Sequence, residues 1–248
     1  MQRDKIFGIK PVIEALRAGS PVQRILIAEQ RKPDREVREI IRLARGVGIE
    51  VRMTTRDALN REAPNALHQG VLAVVAAREY ATLDDILKIP VQKGQAPLFL
   101  VLDGVEDPRN LGAILRTAEV AGVHGVIIPE RRAAGLTETA AKTAAGAVEY
   151  VPVVKVVNIV NTLEDLKKCG IWIAGADAGG DLVYWDADFV RPTAVVLGGE
   201  GKGIRRLVRE HCDYLVSLPL MGRINSLNVS VASGAILYEV LRQRREKK

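Results

Sequence analysis

Residues Leu98–Gly122 read LFLVLDGVEDPRNLGAILRTAEVAG. Five consecutive apolar residues make a run of strand length, and Asp103-Gly104 is turn chemistry. Asp107-Pro108 then opens a helix. The aspartate can accept from the free N–H groups of the first turn, and proline loses nothing at the first helical position. Leu111, Ile114, Leu115 and Ala118 recur at helical spacing, and Gly122 stops the helix. A strand without polar alternation is buried on both faces. That is the mark of a parallel sheet covered by helices on either side.

The same alternation continues in both directions. Downstream, strands are expected at Gly125–Ile128, Ile171–Ala176, Thr193–Leu197 and Tyr214–Leu218. Helices are expected at Thr137–Ala145, Asn158–Cys169, Ile204–His211 and Leu227–Arg244. Upstream, Pro11–Arg17, Asp34–Arg45 and Thr55–Asn60 read as helices, and Arg24–Ala28, Ile49–Met53 and Gly70–Ala77 as strands. Between these halves Asp84–Leu87 could form one helical turn, and Pro90, Gly94 and Pro97 then break the pattern. The expected class is α/β, with a small N-terminal domain (1–78), a linker (79–97) and a larger parallel-sheet domain (98–248).

Composition fits a globular protein of the reducing cytoplasm. Of 248 residues, 48% are hydrophobic and 27% charged, and the two cysteines, Cys169 and Cys212, cannot form a disulfide framework. No apolar run reaches bilayer length, and the first residues show no leader peptide. His68, His124 and His211 lack metal-ligand spacing and read as surface or satisfied core histidines, so no metal is expected. Residues 1–80 carry 15 Lys+Arg against 10 Asp+Glu, a net of +5, out of +6 for the whole chain. A basic module beside a near-neutral one points to a polyanion partner. With aromatics at 4%, recognition must lean on phosphate, ribose and shape rather than base stacking.

Three stretches carry the chemistry: Asp103–Gly122, Val195–Gly203 (VVLGGEGKG) and Leu218–Glu239 (LPLMGRINSLNVSVASGAILYE). Each runs from a polar or glycine-rich loop into a helix-like segment, and loops beyond the carboxyl ends of strands are where α/β sheets bind ligands. Gly198–Gly203 is not a P-loop, because no Ser or Thr follows Lys202. Nor is it a dinucleotide fingerprint, because Ile204 and Arg206 stand where a third glycine is needed. Read alone, Asn110 could cap a helix, Arg116 could be a surface arginine with a packed stem, Glu200 could be an exposed turn residue and Ser226 could be the N-cap of the last helix.

Together these stretches resemble the three motifs of the SpoU (TrmH-type) RNA ribose 2′-O-methyltransferases of the SPOUT superfamily, and most closely the bacterial 23S rRNA guanosine 2′-O-methyltransferases. FGIKPVIEAL and HQGVLAVV resemble the edges of that family's RNA substrate-binding domain. The resemblance implies a C-terminal domain tied in a deep trefoil knot, S-adenosylmethionine as cofactor, RNA as partner and a homodimer whose two subunits contribute to each site. It implies Asn110, Arg116, Glu200, Ser226 and Asn228 as the catalytic set. Leu197, Gly198, Gly199, Leu218, Met221 and Leu227 would hold the cofactor. The family role suggested for Arg116 is general base. An arginine does not readily lose its proton, so binding phosphate and stabilising charge on the ribose oxygen suits it better. A tRNA ribose methyltransferase and a non-catalytic RNA-binding ribosome-assembly protein are the alternatives. A nucleotide-binding oxidoreductase is disfavoured by the failed fingerprint.

Overall fold

A computed structural model describes residues 4–17, 19–31, 34–63, 68–75 and 80–246. The chain divides into two compact units, Met1–Glu79 and Tyr80–Lys248.

The first unit runs β1 (Asp4–Phe7), α1 (Ile9–Arg17), β2 (Val22–Ala28), α2 (Arg35–Gly46), β3 (Glu50–Thr54), α3 (Arg56–Glu62) and β4 (Val71–Val75). Its sheet has the order β1-β4-β2-β3, with β2 and β3 parallel and β4 antiparallel to both its neighbours. β4 is buried at every residue, as its unbroken apolar run predicts; Ala76 and Ala77, also expected in that strand, lie outside the described residues. Asp34 caps α2 by accepting from Val37 N at 2.9 Å, and Thr55 caps α3 by accepting from Ala58 N. Ile25, Ile27, Val71 and Ala73 pack against Val12, Leu16, Val37 and Ile40 of α1 and α2. Leu72 and Val74 meet Leu59 of α3 on the other face. β1 was not expected, because four residues are too few to show a period.

The second unit opens with a correction. Residues expected to be a linker form α4 (Leu83–Lys93), which has a full capping box: Asp85 N donates to Thr82 Oγ1 and Thr82 N to Asp85 Oδ2. Gly94 closes the helix in the left-handed conformation at φ 60°. Pro90 stands inside α4 and forgoes one helical bond; burial of Ile86 against Gly125 offsets that loss.

After α4 come β5 (Leu98–Asp103), α5 (Pro108–Val120), β6 (Gly125–Pro129), α6 (Glu138–Thr143), β7 (Val153–Val156), α7 (Ile159–Lys168), β8 (Trp172–Ala176), β9 (Leu182–Val183), β10 (Thr193–Gly198), α8 (Arg206–Glu210), β11 (Tyr214–Ser217) and α9 (Val229–Glu246). All seven strands are parallel, in the order β7-β6-β5-β10-β8-β11-β9. β7 and β9 were not expected; they are short edge strands without a long apolar run. Side chains alternate across the sheet. Leu100, Leu102, Val195 and Leu197 face α5, α6 and α9. Phe99, Val101, Val196 and Ile173 face α4, α7 and α8. The chain moves outward from β5 through β6 and β7, then returns to fill the other side. This reversal beside β5 is where such sheets open a crevice at the strands' carboxyl ends.

Buried His124 and half-buried Arg244 brace the opposite edge. His124 Nδ1 accepts from Leu98 N at 3.0 Å and its Nε2 pairs with Gln95 Oε1 at 3.0 Å, so it is the satisfied core histidine of the bland reading. Burial, helped by Lys93 and Arg244, pulls its pKa down to about 4. Arg244, in the last turns of α9, donates to the carbonyls of Ala96, Pro97, Phe189 and Arg191.

Candidate active site

Three loops meet at the carboxyl edge of β5, β10 and β11. Asp107 caps α5 by accepting from Arg109 N at 2.8 Å, which frees Asn110 from the capping role its position allowed. Asn110 is buried and its Nδ2 donates instead to Glu200 Oε1, 90 residues further on. Asn228 Nδ2 donates to Asn110 Oδ1 at 3.1 Å and to Glu200 Oε1 at 3.3 Å. Asn228 Oδ1 accepts from Ser230 N at 2.9 Å, so Asn228 also bonds the first turn of α9. Ser226, the expected cap, lies outside that helix. One residue from each motif thus enters a single hydrogen-bonded network.

The glycine loop is fixed by contact rather than left free. A Cβ on Gly198 would fall 2.0 Å from Gly203 C, and one on Gly199 would fall 2.1 Å from Gly104 O. Gly199 N donates to Asp103 O at 2.9 Å, and Gly203 N to Gly199 O at 3.1 Å. Positive φ falls at Gly201 and Gly203. Beneath the junction Asp103 is 1% exposed and accepts from Arg205 N at 2.8 Å and Arg205 Nε at 2.7 Å. This brace between the first and second motifs escaped the sequence reading; an aspartate after a strand looks like any turn residue.

Beside the network opens a cleft of about 670 Å³. Leu197, Gly198, Gly199, Leu218 and Leu227 line it as expected, with Glu200, Ser226 and Asn228. Three expected residues do not: Asn110, which joins the network beside it, Met221 and Arg116. Met221 is 98% exposed, and its neighbour Leu220 lines the cleft instead. Arg116 is exposed on α5 outside the lining, without a hydrogen bond or ion pair among the described residues. Asp177 is a lining residue the sequence reading missed; it follows β8 directly, much as Asp103 ends β5, and that position was the available signal. The cleft suits S-adenosylmethionine. Its volume is that of a small-molecule site, leucines offer apolar faces to an adenine, glycine backbone offers donors and acceptors, and Asp177 and Glu200 supply negative charge for a sulfonium.

The sequence profile of the SpoU rRNA methylase family matches residues 97–238, and that of the RNA 2′-O ribose methyltransferase substrate-binding domain matches residues 5–81. The chain belongs to the SpoU methylase family. SpoU enzymes are S-adenosylmethionine-dependent RNA 2′-O-ribose methyltransferases, and so is this protein. The Bacillus subtilis protein YacO, assigned to the TrmH family of tRNA/rRNA methyltransferases, is 45% identical over 98% of this chain and 97% of its own. The SpoU methyltransferase AviRb from Streptomyces viridochromogenes, solved with AdoMet, shares 30% identity at a TM-score of 0.74, covering 98% of this chain and 91% of its own. The Aquifex aeolicus TrmH/SpoU tRNA modifying enzyme shares 33% identity at a TM-score of 0.57. It covers 62% of this chain and 78% of its own. Among the described residues no helix is long and apolar enough to cross a membrane.

Proposed function

We propose that this SpoU enzyme methylates a guanosine ribose in 23S rRNA, in the cytoplasm, as a homodimer. The observation that carries the site is the Asn110–Glu200–Asn228 network at the rim of the cleft. Support for rRNA is the two-unit layout: more than a third of this chain has no counterpart in the Aquifex tRNA enzyme. The basic balance of residues 1–78 and the substrate-binding profile over 5–81 support the first domain as the RNA-gripping one, with 98–248 as the methyltransferase domain.

Bound S-adenosylmethionine supplies a methyl carbon activated by its sulfonium. The chain's own task is orientation, which can lower a barrier by roughly 7–11 kcal/mol. Leu197, Gly198, Gly199, Leu218 and Leu227 hold the cofactor. Two amides bind Glu200 Oε1, which leaves Oε2 to accept from the ribose hydroxyl. Ser226 and Asn228 fix the hydroxyl's approach. Arg116 binds phosphate and stabilises charge on the ribose oxygen. It lies outside its own chain's cleft, so a second subunit is its route to a site. The dimer face is supplied by α5 and α9, where Val120, Val231 and Tyr238 are 53–60% exposed and Gly234 packs beside Thr117. A two-fold contact buries such a patch twice. Insertion of β11 between β8 and β9 supports the trefoil knot.

The test is transfer of labelled methyl groups to separate rRNA and tRNA pools, followed by mapping of the modified ribose. Label at a 23S rRNA guanosine is expected. Label in tRNA alone overturns the substrate assignment. Saturable cofactor binding without any transfer favours the ribosome-assembly alternative.

A further inference from the structure

We infer that Arg131 and Arg132, on the loop between β6 and α6, clamp the phosphate backbone of the RNA beside the methyl-transfer site. The inference rests on the RNA methyltransferase assignment but not on which RNA is modified. The loop leaves the carboxyl end of β6, next to β5, whose own end carries Asp103–Asp107. Its backbone is pinned on both sides of the arginines. Glu130 N donates to Val156 O at 2.9 Å, Ala134 N to Val105 O at 2.8 Å and Leu136 N to Tyr80 Oη at 3.0 Å. The bond to Val105 ties the loop directly to the first motif. Ala134 and Leu136 are buried in the core, whereas Arg131 and Arg132 are exposed.

Two features point to this pair, and exposed Arg116 on α5 shares the second. Arg132 has φ 57°, a left-handed backbone that a long L side chain adopts at a cost and that glycine would adopt freely. Strain of this kind collects at functional sites. Neither arginine has a carboxylate or carbonyl partner among the described residues. By contrast Arg191, Arg205, Arg206, Arg209 and Arg242 face carboxylates, and Arg244 holds four carbonyls. Two adjacent exposed cations, one on a strained turn, have their guanidinium groups turned to solvent rather than to a partner among the described residues. Together they suit a polyanion, because a guanidinium binds phosphate through paired donors. The clamp adds a grip on the methyltransferase domain itself, separate from the substrate-binding domain.

The test uses the full-length protein and a single-stranded RNA oligonucleotide as probe. Each phosphate contact adds about 0.7 to the slope of log affinity against log salt. Arg131→Ala/Arg132→Ala should therefore flatten that slope by about 1.4. Between about 50 and 200 mM salt the wild type should lose about sevenfold more affinity than the double variant. Arg132→Gly should melt no lower than wild type, bind S-adenosylmethionine normally and bind RNA more weakly; Arg132→Lys should retain part of the affinity. A merely structural arginine would not weaken RNA binding while leaving the fold equally stable. A double variant with wild-type affinity and slope overturns the clamp alone. A wild-type chain that binds no RNA at low salt overturns the RNA assignment and the clamp with it.

Discussion

One methyl group added at Gly199 should disable the cofactor cleft by pushing its loop off the first motif. In Gly199→Ala the new Cβ would lie 2.1 Å from Gly104 O and 2.8 Å from Gly104 C. A comfortable carbon–oxygen contact is about 3.3 Å, so the overlap exceeds about 1 Å. Both opposing atoms are backbone, so no rotamer change relieves it. The bond from Gly199 N to Asp103 O crosses the same junction and must lengthen. Overpacking of this kind costs about 1–3 kcal/mol. If that falls on the cleft, affinity for S-adenosylmethionine drops roughly 5- to 150-fold. The effect is steric, since Gly199 itself has no left-handed φ. Gly201→Ala is the matched comparison: its φ is 77° and its Cβ meets open space, so only a backbone cost of about 1–2 kcal/mol is expected. Calorimetric titration and melting with and without cofactor distinguish the two. A folded Gly199→Ala protein with wild-type cofactor affinity would refute the reasoning, even if it melted lower.

Arg116→Ala should abolish methylation while leaving the melting temperature and cofactor affinity near wild type; normal turnover would remove Arg116 from the site. Asn110→Ala and Asn228→Ala should couple by roughly 0.5–3 kcal/mol in a double-mutant cycle on kcat/KM, because each holds the other and Glu200; strict additivity would show that the network is incidental. His124 has a folded pKa of about 4 against an ordinary value near 6.5, so the unfolded chain binds its proton first as pH falls. The stability from its neutral form should be complete above about pH 6.5 and decline by up to about 3 kcal/mol towards pH 4. Urea unfolding across that range should show a shallower dependence in His124→Gln, and an identical slope would contradict the assignment. A dilution series followed by light scattering should show a dimer at micromolar concentration, and a fully active monomer would overturn the two-subunit site.

The parts legible in the sequence were those governed by long local patterns. Leu98–Leu102 and Thr193–Leu197 announced buried parallel strands because every residue in them is apolar. Asp107-Pro108 announced a helix start through chemistry confined to one turn. The four-residue β1, the edge strands β7 and β9, and α4 with Pro90 inside it depend on neighbours supplied by the fold. The site divides the same way. The family resemblance singled out Asn110, Glu200 and Asn228, but the bonds joining them span 28 to 118 residues and appear only on folding. The buried pairing of Asp103 with Arg205 spans 102 residues and leaves no local trace. Met221 was misplaced because its apolar character said nothing about which way the loop beyond β11 turns.

The clamp at Arg244 has a consequence for Asn228. α9 is held at both ends, by the site amide before its first turn and by four carbonyls at the far edge of the sheet some 22 Å away. A helix anchored in this way behaves as a strut whose length and phase are both set. One alanine inserted after Ile236, remote from the cleft, would displace Asn228 relative to the clamp by about 1.5 Å and rotate it by about 100°. The amide would then face away from Asn110 and Glu200 although every residue of the site remained. In this enzyme the register of the last helix is part of the geometry of the proposed site.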